Sequence, residues 1–295
     1  MKILIAGCGY VGTLLGEELA KSGHEVWGLR RDWTMVRAIP VLLAGRHELP
    51  VQGIIPITAD LLDLKSLTNL PEADYLVLCQ APSGENDSYQ KTYFEGTQNI
   101  LKIFSKKIPN KVIFISSTSV YSAKNGEWID ENTDPKVGTV HELSLLNSEA
   151  ECLLRTEALV LKEMPSIVFR LGGIYGPARN RVDALKEGRL KPSFSDVFVN
   201  RIHVEDAAAG IELLLEKGKI NEIYLGVDDY PSTQKEFYEW ICGKLSLSKT
   251  ADDRMKDTAR VSNKRCSNKK IKELGFKLKY PTFREGYSEL INNER

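Results

Sequence analysis

The first twelve residues place the strongest constraint on the fold. An apolar run, Ile3 to Ala6, meets Gly7, Gly9 and Gly12 in G-x-G-x-x-G spacing. Helical periodicity follows at once, with Val11, Leu14, Leu15 and Leu19 on one face and Glu17, Glu18 and Lys21 on the other. The pattern predicts a strand, a tight turn and a helix built around a pyrophosphate. Gly7 allows the turn, Gly9 lets the backbone approach the phosphates, and Gly12 lets helix and strand pack closely. The N–H groups of the first helical turn, Tyr10 and Val11 among them, and the helix dipole then hold the anion.

Short apolar runs alternate with helical periodicity along the next 160 residues. Glu25–Leu29, Ile54–Thr58, Tyr75–Cys79, Lys111–Ile115 and Ser166–Arg170 read as strands, with helices near Tyr89–Ser105 and Glu142–Glu163. Pro56 weakens the third strand and suits a sheet edge. Such alternation predicts an α/β fold, a doubly wound parallel (Rossmann) sheet. Past Arg170 the texture changes, with glycines, prolines and basic residues crowding Gly172–Pro192. Asp196–Ile202 reads as extended, Val204–Glu216 as helix, Glu222–Val227 as strand and Thr233–Leu245 as helix, and Arg254–Lys270 reads as a surface loop. The expected organisation is a dinucleotide-binding domain from 1–173 plus 201–227, and a small C-terminal substrate lobe from 174–200 plus 228–295.

Lys+Arg 40 against Asp+Glu 40 gives a formal charge of zero, which removes any global argument for nucleic acid or membrane surface as partner. The five cysteines form no C-x-x-C pair and read as reduced thiols, so a cytoplasmic protein without a metal site is expected. No run approaches the ~20 apolar residues of a membrane span. The partner is then a small-molecule substrate, and a homodimer is compatible with this reading.

Strand two ends in Arg30-Arg31, where an acidic residue would suit the ribose hydroxyls of NAD. Two arginines suit a 2′-phosphate, so NADP is expected over NAD; the alternative is a solvated basic turn. Asp60 and Leu61, after strand three, are placed to meet an adenine, although Asp60 equally suits a helix cap. Gln80, Ala81 and Pro82 follow the fourth strand, at the sheet edge where ligands lie in open α/β sheets. Cys79 reads as a small buried residue rather than a nucleophile.

With Ile115-Ser-Ser-Thr-Ser-Val-Tyr121 the chain resembles the extended short-chain dehydrogenase/reductases, the NAD-dependent epimerase/dehydratase superfamily. Gly96-Thr-Gln-Asn99, Arg170-Leu-Gly-Gly-Ile-Tyr-Gly-Pro177, Ile202-His-Val-Glu-Asp206 and Lys272-Glu-Leu-Gly-Phe276 carry the same resemblance. It implies that Ser117 is the active-site hydroxyl, donating to a substrate oxygen beside the nicotinamide. It also implies that Tyr121, Tyr175, Arg179 and Arg201 meet a substrate that is anionic, often a sugar nucleotide. A Ser-rich strand end equally suits local backbone bonding.

The chain departs from the family at the catalytic Y-x-x-x-K. No tyrosine occurs between Tyr121 and Tyr175. Leu143 and Asn147 stand at the tyrosine and lysine positions, as in atypical subgroups of the family. Asn147 retains a hydrogen bond to a ribose hydroxyl without the lysine's charge. His141 and Glu142, just before that helix turn, are the remaining acid/base candidates, the imidazole having the better-placed reference pKa of ~6.5. Glu142 equally reads as a first-turn carboxylate favoured by the helix dipole. Two functions follow: an NAD(P)-dependent oxidoreductase or epimerase/dehydratase with an altered acid/base, or a non-catalytic NADP(H)-binding sensor.

Overall fold

In a computed structural model, which describes residues 1–33, 52–82, 88–135, 148–247 and 262–293, the apolar runs pair into one parallel sheet. Its strands are β1 (Lys2–Ala6), β2 (Glu25–Arg30), β3 (Ile54–Thr58), β4 (Tyr75–Leu78), β5 (Lys111–Ser117), β7 (Ser166–Leu171) and β11 (Glu222–Gly226), in the order β11-β7-β5-β4-β1-β2-β3. Every residue of β7 is buried, as a strand covered on both faces requires. Pro56 lies on β3, the edge strand of the sheet, where proline is tolerated. The order reverses between β4 and β1, and ligands of open α/β sheets lie outside the carboxyl ends of the strands at such a switch point.

Helices cover both faces. On one, α1 (Tyr10–Lys21) packs Leu14, Leu15 and Leu19 into a core shared with Ala207, Ile211 and Leu214 of α5 (Val204–Lys217). On the other, α2 (Gly96–Phe104) and α3 (Ser148–Glu163) bring Ile100, Leu101, Phe104, Leu153 and Val160 onto Leu76, Leu78, Val112 and Phe114. Fully burying a side chain of this size stabilises the fold by about 1.5–3 kcal/mol. Among the described residues no helix is long and apolar enough to cross a membrane.

α7 (Lys269–Glu273) packs Ile271 into the core shared by α1 and α5. A second lobe, with a core of its own, holds α4 (Val182–Lys186), α6 (Gln234–Leu245) and α8 (Phe283–Asn293). Its core is aromatic: Tyr287 stacks on Tyr175 at 4.8 Å, and Phe237 meets Phe283 and Tyr287 edge-on. Three two-stranded sheets join it to the rest. β8 (Gly173–Tyr175) pairs β10 (Arg201–His203), β9 (Phe198–Val199) pairs β12 (Ser232–Thr233), and β6 (Glu127–Ile129) pairs β13 (Lys264–Cys266). The return to the main sheet expected at residue 201 therefore passes first through β10, which lies outside it.

The surface loop expected over Arg254–Lys270 is corrected within its described part. Lys264 and Cys266 of β13 are buried. The Lys264 ammonium donates to the carbonyl oxygen of Tyr121 at 3.0 Å and to the Ser262 hydroxyl. A lysine satisfied in this way buries like an apolar residue, so the polar letters concealed a strand.

Candidate dinucleotide and reaction site

The three glycines of the first turn do three different things. Gly7 has φ +82°, and a Cβ there would lie 2.3 Å from the Gln80 nitrogen, so the loop presses directly on the end of β4. A Cβ on Gly12 would lie 3.0 Å from both the Gly7 oxygen and the Ile5 side chain, which is the helix–strand contact. Around Gly9 the space is open, the nearest atom being the Gly7 oxygen at 3.9 Å. The loop is pinned from below, since the Gly7 and Cys8 N–H groups both donate to the Leu29 oxygen at 3.0 Å.

Above the loop, Gly9 caps α1 without any side-chain bond. The N–H groups of Tyr10 and Val11 meet no acceptor among the described residues. Helix N-termini left in this state attract anions. Burial pushes the Cys79 thiol up to about 12, so it stays protonated at neutral pH rather than serving as a nucleophile. Tyr10 spans to the second lobe by donating to the Pro177 oxygen at 2.8 Å, and the Arg179 guanidinium lies 5.8 Å from its ring centroid.

On the flank, Arg30 turns back over the loop. Its Nη1 donates to the Cys8 oxygen at 3.2 Å, and its guanidinium lies 5.5 Å from the Trp33 ring, whose own N–H donates to Ile57 at 3.1 Å. Arg31 is exposed beside it. One Asp60 carboxylate oxygen accepts from the Leu62 N–H at 2.9 Å, so the expected cap closes a turn rather than a helix. The Leu61 oxygen accepts from Asn99 at 2.9 Å, tying this turn to α2. At the end of β4, Gln80 donates to the Thr97 hydroxyl at 2.7 Å, while its Oε1 is buried without a partner among the described residues. Ala81 and Pro82 continue this edge, exposed and half-buried.

Ser117 ends β5, half-buried, and its hydroxyl oxygen accepts from the Ser119 N–H at 3.1 Å. Beneath it runs an internal polar network. Ser116 donates to Glu157 at 2.6 Å, and Arg170 meets the same carboxylate with two bonds of 3.0 and 2.6 Å. The third arm of Arg170 donates to the Tyr121 hydroxyl at 2.7 Å. Two expected substrate contacts are corrected by burial. Tyr121 is 1% exposed, its hydroxyl spent on Arg170 and the Asp130 carbonyl. Tyr175 is buried between Tyr287 and His203, its hydroxyl without a partner among the described residues.

Arg201, expected to face the cleft, is corrected likewise. It is 8% exposed, donates to Ser232 at 2.8 Å and lies over Phe237 at 4.2 Å. The flat guanidinium stacks on aromatic faces where an ammonium would stay hydrated. Arg179 remains exposed. His141, Glu142 and Asn147 lie outside the described residues. Sequence reasoning missed Glu157, one of four glutamates in an amphipathic helix, which gives no signal of the buried pair it makes.

Residues 3–225 match the model of the NAD dependent epimerase/dehydratase family. The chain belongs to that family. It is 27% identical over 286 residues to Protein YeeZ of Escherichia coli (strain K12), covering 95% of this chain and 96% of that one. A solved structure of a candidate NAD-dependent epimerase/dehydratase from Methylobacillus flagellatus is 29% identical, with a TM-score of 0.76 over 100% of this chain and 98% of that one. A double mutant of DesIV, the dTDP-glucose 4,6-dehydratase of Streptomyces venezuelae, solved with NAD and DAU bound, shares the fold at 18% identity and a TM-score of 0.79 over 100% of this chain and 97% of that one.

The site fits an NAD-type dinucleotide. Open space at Gly9, an uncapped helix start and the orphaned Gln80 oxygen suit a pyrophosphate with donor groups beyond it.

Proposed function

We propose that this chain is a cytoplasmic NADP-dependent enzyme of the oxidoreductase or epimerase/dehydratase type, acting on a small anionic substrate of the sugar-nucleotide class. The observation that carries the reading is the division of labour in the glycine loop: Gly7 and Gly12 are closed by packing, and only Gly9 is left open in front of free N–H groups. Tyr10, Val11 and Gly12 hold the pyrophosphate, while Asp60 and Leu61 border the adenine. Gln80, Ala81 and Pro82 line the path toward the nicotinamide, and Asn147 meets a ribose hydroxyl. Bound nicotinamide supplies hydride exchange. Ser117 donates its proton-bearing hydroxyl to the substrate oxygen, and Arg179 attracts the anionic end. On the sequence reading the group that moves the proton is His141 or Glu142.

NADP preference rests on Arg30 and Arg31. Among the described residues Arg30 makes one hydrogen bond, 3.2 Å to Cys8, which leaves other donors of its fork for a 2′-phosphate. Charge-assisted bonds of this kind contribute about 1.5–3 kcal/mol each. Titration of NADPH and NADH into the wild type is expected to show at least about tenfold tighter binding of NADPH, since ~1.4 kcal/mol is a factor of ten. The Arg30→Ala/Arg31→Ala variant is expected to lose that preference. Equal affinities in the wild type, or an unchanged preference in the variant, refute the assignment. A second reading, a non-catalytic NADP(H) sensor, draws support from the missing Tyr-x-x-x-Lys pair. It predicts the same binding with no turnover.

A further inference from the structure

From β8 the chain enters the second lobe through a turn, residues 176–179, that presses on the start of α1. The turn closes on itself: the Gly176 N–H donates to the Arg179 oxygen and the Arg179 N–H to the Gly176 oxygen, each at 3.1 Å. Ala178 stands in it at φ +59°, a left-handed conformation that a Cβ disfavours. Non-glycine residues held there gather at ligand clamps and switches, where surrounding contacts fix the backbone. Here one such contact is Tyr10, whose hydroxyl donates to the Pro177 oxygen at 2.8 Å. A Cβ on Gly176 would lie 2.7 Å from the same hydroxyl, so only glycine permits so close an approach. Gly176 and Pro177 are buried, whereas Ala178 and Arg179 are exposed. The Arg179 guanidinium, 5.8 Å from the Tyr10 ring centroid, makes no hydrogen bond among the described residues. Tyr10 is also the first residue of α1. Its backbone borders the anion site while its side chain holds the turn.

We propose that the Tyr10 hydroxyl is a latch that holds the 176–179 turn over the dinucleotide, so that Arg179 supplies a cation to the pyrophosphate. The inference rests on the dinucleotide reading above, and gives Arg179 a second anion beside the substrate; the donors of its planar fork suffice for both. The glycine loop itself offers N–H groups and a helix dipole, but no full charge. Arg30 stands on the other flank, where the 2′-phosphate is expected, which leaves the pyrophosphate to Arg179. Tyr10 is then a positioning residue. Without its bond the Ala178 backbone relaxes out of the left-handed region and carries the guanidinium away. One side chain thereby links dinucleotide binding to the seating of the second lobe.

The test is a double-mutant cycle on the full chain, read by calorimetry with NADPH, or with NADH if wild type binds that more tightly. Arg179→Ala is expected to weaken binding about tenfold and Tyr10→Phe about three- to tenfold, with the double variant within about twofold of Arg179→Ala, because contacts that act as one do not add. Both single variants should also flatten the dependence of affinity on NaCl, which lost packing alone would not do. Tyr10→Phe/Ala178→Gly, in which the turn keeps its φ without the latch, is expected to recover most of the affinity lost in Tyr10→Phe. Tyr10→Phe keeps the ring and should melt within a few degrees of wild type. Additive losses, an unchanged salt dependence in Tyr10→Phe, or no recovery by Ala178→Gly overturns the latch. A Tyr10→Phe variant that does not fold gives the hydroxyl a purely structural role and overturns it too. Unchanged affinity in both single variants overturns the pyrophosphate role of Arg179 and the latch with it, leaving the glycine loop in place. Wild type that binds neither nucleotide overturns the dinucleotide reading and this one together.

Discussion

Ser117 owes its place to a charge it does not touch. Glu157 and Arg170, 4% and 3% exposed at their side chains, form a two-point pair beneath the end of β5 and hold Ser116 from below. Removing one member of such a pair strands the other charge in the core, at a cost of about 3–5 kcal/mol. Glu157→Leu alone is therefore expected to lower the urea midpoint sharply. Glu157→Leu with Arg170→Met should recover most of the loss, because a well-packed apolar pair of similar volume is often neutral there. A double variant no more stable than the single one refutes this account. The same network explains which residues could be read from the sequence. Ser117 could, because its segment is specific. Tyr121 could not, because nothing in a one-dimensional motif says whether a ring points into the cleft or beneath it. Arg201 was misread for a related reason: its stacking partners, Phe237 and Phe283, are distant in sequence.

Among the elements, the strand–turn–helix at the start of the chain separates stability from binding. Gly7→Ala places a Cβ on backbone atoms of Cys79 and Gln80 at a positive φ, and neither strain has a flexible side chain to relieve it. It is expected to cost several kcal/mol of stability. Gly9→Ala meets open space at φ −98°, so its melting temperature should stay within a few degrees of wild type. Its methyl instead occupies the path of the pyrophosphate, and at least tenfold loss of NADPH affinity is expected by calorimetry. Normal NADPH binding by a stably folded Gly9→Ala variant would remove the loop from the site.

The elements of the main sheet were legible because fully buried strands are apolar runs. Two features were not. The π turn before α2, Gln90–Glu95, shares its apolar residues with the helix it opens, so periodicity reads the two as one. β13 alternates buried and half-buried positions with a lysine and a cysteine, and only its partners reveal which side is inside.

At the scale of the whole molecule, the two lobes share buried titratable groups, and these set the acid limit of stability. His203 caps α5 by accepting from the Glu205 N–H at 3.3 Å, and its ring lies against Tyr280 at 4.0 Å. Burial, above all, lowers its pKa from 6.5 to about 4. Between those values the unfolded chain binds a proton that the folded chain refuses, so stability falls as the pH drops through this window. The loss approaches about 3 kcal/mol by pH 4. Asp228 and Asp206, raised by burial, work in the opposite sense, losing stability as the pH rises through their folded values. The expected signature is therefore a difference: urea unfolding of His203→Asn, which keeps a capping side chain, should depend less steeply on pH between 6.5 and 4 than wild type. Identical slopes would show that His203 is not the group responsible.

The parallel pairing of β6 with β13 also has a consequence for the order in which the protein is made. On a ribosome adding about 5–20 residues per second, β6 emerges roughly 7–27 s before the strand that completes it, some 135 residues later. Throughout that interval the carbonyl of Tyr121, at the end of the Ser117 loop, waits for the ammonium of Lys264. The nucleotide cradle can form early in translation, but the reaction loop is locked only when the last tenth of the chain arrives.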